Sequence, residues 1–151
     1  MGNLGLRLTS AIIWGLMVAV FAVIFALQDV LRAEDAQASA YVGTTILGVC
    51  HGLGGALAGY LLAGLFGRAG AGGWLLAILG TLVVVLLGGL FGGAFAALYG
   101  VVTGTTNLAT DFIRIGLGAV TAPLAIADSP WLGPLWIAVG VAAHLTCRGM
   151  R

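Results

Sequence analysis

Gly48-Val-Cys-His-Gly-Leu-Gly-Gly-Ala-Leu-Ala-Gly59 is the stretch that decides how this chain folds. Read as a helix, it places Gly48, Gly52, Gly55 and Gly59 at i, i+4, i+7 and i+11, along one face. Gly88 with Gly92, and Gly89 with Gly93, repeat the four-residue step in the next apolar run. A face without side chains lets another helix backbone come close. In lipid, such close packing does the work that the hydrophobic effect does between helices in water. The two glycine faces are therefore expected to meet each other or a second copy of the chain.

Composition sets the solvent. Of 151 residues, 61% are hydrophobic and 7% charged, against roughly 25% charged in an ordinary soluble domain. So few charges cannot cover a globule in water, and lipid must surround most of the chain. At this length residues 1–151 form one polytopic membrane domain. The net charge of +1 implies no nucleic acid, which leaves the bilayer, other membrane subunits or the chain itself as partners. All six basic residues are arginine, so Schiff-base lysine chemistry is excluded. Cys50 and Cys147 lie in apolar runs and read as buried free thiols.

Four apolar runs qualify as crossings, at about 11–27, 41–66, 74–99 and 131–147. The first follows Ser10 as a helix cap. A small-residue site, Ala38-Ser-Ala40, stands too far downstream to make that run a typical signal peptide. Gly67-Arg-Ala-Gly-Ala-Gly-Gly73 turns the chain between the second and third runs. From Asn107, the polar residues Asn107, Thr110, Asp111, Arg114 and Thr121 recur at helical intervals among apolar ones, with Pro123 limiting the helix. The segment 107–122 thus reads as an amphipathic helix lying in the interface or partly re-entering the membrane. Asp128-Ser-Pro130 reads as a capped start for the last crossing.

Four crossings put both ends on one side, together with Arg7, Arg68, Arg148 and Arg151. That excess marks the side as cytoplasmic, in the manner of a bacterial inner-membrane protein. Trp14 and Trp74 are expected at the inner interface, and Tyr41, Tyr99 and Trp131 at the outer one.

Polar residues within the membrane are few, and their cost makes them the first candidates for function. His51, Thr81 and His144 stand out. Counted from the starts of their crossings, the two histidines differ in depth by roughly 5 Å. They are therefore expected to be able to face each other and hold a haem or a metal ion. No nucleophile–base pair, paired carboxylates or phosphate-binding loop appears, so no enzyme is expected. No metal site or cofactor is assigned outright.

The order Gly54…Gly59, Gly80-Thr-Leu…Gly88, Gly104-Thr-Thr…Phe112 is similar to that of the small fluoride channels. The particulars depart from that family. Val85 stands at the place of the pore asparagine, the phenylalanine-bearing break is missing, and an additional helix precedes the match. The likeness is one of glycine-rich composition.

The sequence thus describes an all-α integral membrane protein with four transmembrane helices, an interfacial amphipathic helix and glycine-mediated packing. A non-catalytic role follows, as an accessory or structural subunit of a larger membrane complex or as a homo-oligomer. An oligomeric channel or small-solute transporter is the alternative. A haem- or metal-binding protein using His51 and His144 is the third reading.

Overall fold

A computed structural model describes residues 2–32, 38–105 and 108–151. Asn107, used above, lies outside the described residues. The described chain is helical, without strands: α1 (Gly2–Arg32), α2 (Ala38–Leu62, continued by a 3₁₀ turn at Ala63–Leu65), α3 (Gly70–Val102), α4 (Leu108–Asp128) and α5 (Leu132–Gly149). Three of them, over Leu4–Arg32, Ala38–Leu65 and Gly70–Val102, are long and apolar enough to cross a membrane. At 29, 28 and 33 residues they exceed the roughly 20 that a bilayer needs, so each would tilt in a membrane it crossed or project from it. Neither α4 nor α5 reaches that combination of length and apolarity.

Glycines lie at the closest approaches between neighbouring helices. A Cβ at Gly59 would meet the Ser10 carbonyl oxygen at 2.7 Å, one at Gly55 the Trp14 oxygen at 2.6 Å, and one at Gly48 a Val23 methyl at 2.5 Å. The Gly48–Gly59 face is therefore applied to α1, which runs antiparallel to α2. The neighbouring face of α2 meets α3. A Cβ at Gly54 would lie 2.3 Å from both the Gly88 oxygen and the Gly92 nitrogen. On α3, the other pair turns to α4: a Cβ at Gly89 would sit 2.1 Å from the Gly118 oxygen, and one at Gly93 2.7 Å from the Arg114 oxygen. The two glycine faces touch at Gly55 and Gly88, where a Cβ on Gly88 would lie 2.9 Å from the Gly55 Cα, within a wider chain of contacts, α1 on α2 on α3 on α4, inside one molecule.

Because α1 and α3 both run against α2, they end at the same end of the bundle. α4 follows the end of α3. Its own last residue, Asp128, is bound by Arg32 at the end of α1, and Ser129 accepts a hydrogen bond from Gln28. These two contacts tie the end of α4 to the last turns of α1. The middle of α4 rests on Gly89, thirteen residues short of the end of α3, about 20 Å at 1.5 Å per residue. Its small and polar residues Asp111, Gly118, Thr121, Ala122 and Ala125 are buried, while Phe112, Ile113 and Leu117 point outward. α5 then runs back along the bundle, with Gly140 on Thr81 and Cys147 on Gly67.

Several local expectations are corrected. Ser10 lies inside α1, and its hydroxyl donates to the Gly59 carbonyl at 2.8 Å, tying α1 to α2 where Gly59 leaves room. Trp14 is a core residue, fully buried and 5.4 Å from the Phe66 ring, not an interfacial one. Pro123 sits within α4, which continues to Asp128; one lost N–H near the helix end is tolerated. Neither Asp128 nor Ser129 caps α5. The Asp128 carboxylate is taken by Arg32 and the Ser129 hydroxyl by Gln28, and Trp131 precedes α5 without a side-chain cap. Cys50 and Cys147 are buried free thiols.

Candidate functional site

Where α4 leans on α3, a cavity of about 440 Å³ opens between them, α2 and the last turns of α1. Its apolar wall comes from residues such as Phe25, Leu47 and Ala96. Its polar groups are Thr44 and His51 from α2, Tyr99 from α3, and Arg114 and Thr121 from α4, with Thr105 near the end of the bundle.

Each polar group is placed by its own helix. His51 Nδ1 lies 3.0 Å from the carbonyl oxygen of Leu47, one turn earlier. A carbonyl only accepts, so Nδ1 carries the proton of the neutral ring and Nε2 is left with a lone pair. Nε2 is buried and has no hydrogen-bond partner among the described residues. The ring fits because Gly92 has no side chain: a Cβ there would come within 2.9 Å of it. Thr44 donates to Ala40 and Thr121 to Leu117, so both hydroxyl protons are committed and oxygen lone pairs remain. Arg114 is the cation at the cavity, half exposed, with Nη1 4.0 Å from the buried carboxylate of Asp111. The cavity is thus lined by a neutral imidazole whose buried Nε2 keeps an unused lone pair and by the guanidinium of Arg114.

His144 is elsewhere. It is fully buried, accepts a hydrogen bond from the Gly67 N–H at 3.2 Å and lies 4.3 Å from the Trp74 ring. Trp74 and Gly92, which mark the two histidines on α3, are 18 residues apart, about 27 Å at helical rise. His51 and His144 cannot hold one haem or metal between them, because α5 reaches the α2–α3 turn before it presents His144. Among the described residues no three His, Cys, Asp or Glu side chains converge. Thr81 donates to Ala77 at 2.8 Å and lines a separate apolar gap of about 100 Å³ with Trp74 and Trp136, so it does not join His51 either.

Asp111, Arg114 and Thr121 were visible in the sequence as a periodic polar face. That face reads as turned toward water or headgroups, whereas it looks into the bundle. The signal that separates the two is the small-residue company of Gly118, Ala122 and Ala125 on the same side.

No protein-family model matches this chain, and no similar curated protein or solved structure was found for it.

Proposed function

We propose that this chain is a non-catalytic membrane protein that takes a small solute into the cavity beneath α4, as a binding or transport unit. The solute class follows from the lining: a hydrogen-bond donor for His51 Nε2 and an anionic or carbonyl acceptor for Arg114. The single observation that carries the reading is a buried imidazole nitrogen without a partner beside a cation, in a cavity between helices. Polar groups of this kind are costly within a membrane and are retained there for ligands and pathways.

The glycines that favour association in the sequence are occupied by neighbouring helices of the same chain. This moves the accessory-subunit or homo-oligomer reading to second place. In the proposed topology α1, α2, α3 and α5 cross the membrane and α4 dips into it as one tilted helix from the side where α3 ends. Arg7, stacked 5.2 Å over Tyr60, lies at the same end as Arg68, Arg148 and Arg151. That end is proposed as the cytoplasmic one, in a bacterial inner membrane.

The test is flux through proteoliposomes loaded with a panel of small carboxylate and phosphate anions and their neutral hydroxylated analogues. One class is expected to pass. His51→Leu and Arg114→Gln should each slow it by about tenfold or more, the weight of a hydrogen bond to a charged group or a buried partner. Thr81→Val should leave it unchanged. If no solute moves or binds and the protein purifies with a larger membrane protein, association is the function and the solute reading fails.

A further inference from the structure

At the end of the bundle opposite the α4 cavity, a second pocket of about 520 Å³ is lined by Gly67, Arg68, Ala69, Arg148 and Arg151. Three arginines line it, and none of them forms an ion pair among the described residues. Among the described residues the ion pairs are Arg32 with Asp128 and Arg114 with Asp111, and both belong to the other end. Arg68 Nε donates to the Gly64 carbonyl, and Arg151 donates through Nε to Phe66 and through Nη2 to Gly64, each at 3.0 Å. Carbonyl partners orient these forks without neutralising them. The remaining N–H groups of Arg68 and Arg151, and all those of Arg148, stay available.

A second observation points to the same place. Ala69, part of the lining, is the residue that precedes α3, and it supplies no side-chain cap. The first N–H groups of a helix have no partner within it, and the aligned peptide dipoles add partial positive charge there. A Cβ at Gly70 or Gly72 would meet nothing within 4 Å, whereas one at Gly73 would press on the Arg68 carbonyl, so this helix start is open on the side of Gly70 and Gly72. Uncapped helix donors and unpaired guanidinium forks share one preferred ligand, a tetrahedral oxyanion.

We infer that this pocket binds a phosphate-bearing anion between the start of α3 and the end of α5, with Arg68, Arg148 and Arg151 as its ligands. The phosphate of an anionic lipid headgroup and soluble inorganic phosphate share that chemistry. The inference is independent of the solute reading, since the two sites lie at opposite ends.

The experiment titrates the purified full chain, in an uncharged detergent, with phosphatidylglycerol in mixed micelles, with phosphatidylcholine as the lipid control, and with inorganic phosphate. Saturable binding of phosphatidylglycerol alone identifies a headgroup site. Saturable binding of inorganic phosphate, competing with the lipid, identifies a soluble anion site. In either case Arg68→Gln/Arg148→Gln should weaken binding by about tenfold or more, while Arg7→Gln and Arg32→Gln keep the wild-type affinity. Arg148 donates no hydrogen bond within the described structure, so Arg148→Gln alone leaves the scaffold intact and serves if the double variant does not fold. The proposal is overturned if nothing binds saturably, if the arginine variants bind as wild type does, or if Arg7→Gln weakens binding as much as they do.

Discussion

At one end of the bundle Gly67, in the turn between α2 and α3, is pressed on the end of α5, while at the other Gly104, just past α3, has nothing packed against it. Both turns contain a glycine in the left-handed region, Gly67 at φ +76° and Gly104 at φ +67°. Gly67 is pressed on the backbone of Cys147, gives its N–H to His144 and lies beside three arginines. Gly104 has empty space around it. Its N–H bonds the Val101 carbonyl and that of Thr105 bonds Gly100, the paired pattern that closes a helix with glycine just past its end. The same backbone need is met once inside a tertiary contact and once locally. The Gly67 contact sets where α5 lies along the bundle, and Gly104 makes no contact of that kind.

The largest effect is expected at the seam that joins the two ends. Gly54→Leu would drive a side chain into the Gly88 and Gly92 backbone, which cannot turn aside as a side chain can. A loss of more than about 3 kcal/mol is expected, seen as failure to yield monodisperse protein in detergent. Gly43→Leu, at a site with nothing within 4 Å, should purify as wild type does. If Gly54→Leu behaved like Gly43→Leu, α2 and α3 would not be joined as described.

Next comes the pair of turns. Gly67→Ala combines a left-handed alanine with a Cβ 2.5 Å from the Cys147 carbonyl carbon, so about 3 kcal/mol is expected. Gly104→Ala meets only the backbone term, about 1 kcal/mol. Thermal unfolding in one detergent would rank them. Equal losses would mean that the two ends are not differently packed.

These comparisons also show what can be read from a sequence of this kind. Five helical segments were legible because long apolar runs and their polar breaks are written directly in residue order. Their ends were set too tight: α1 extends over Arg7 and Gln28, since a helix can leave the bilayer without ending. Spacing identified the glycine faces but not their partners. A glycine at Gly48 or Gly89 offers no side chain that would specify which helix approaches, and topology decides between α1, α3 and α4. For the cavity, His51 was legible as a costly polar residue. Arg114 and Thr121 were legible only as a periodic face, because the direction of that face depends on where α4 docks. The pairing of His51 with His144 failed for a plain reason: depth counted from the starts of two crossings ignores how far each helix slides along the other.

A smaller effect is expected from Ser10→Ala. The Ser10 hydroxyl is fully buried and donates across the α1–α2 seam to Gly59, so its loss should cost about 1 kcal/mol. The Gly59 carbonyl keeps its place in α2, so no larger loss is expected, and thermal unfolding beside wild type would measure it. A cost near zero would mean that backbone proximity alone holds this seam.

The smallest effect is assigned to the ion pair at the end where α3 stops. Arg32 Nη2 lies 3.0 Å from both oxygens of Asp128, but the two side chains are 64% and 35% exposed. Exposed pairs of this kind are worth about 0.2–1 kcal/mol and are screened by salt. A double-mutant cycle with Arg32→Gln and Asp128→Asn should therefore return a coupling of about 0.5 kcal/mol that shrinks as salt is raised. The pair joins the end of α1 to the end of α4. A coupling above about 2 kcal/mol, insensitive to salt, would make the pair a lock. That end would then be held as firmly as the end built around Gly67, and the contrast between the two would be lost.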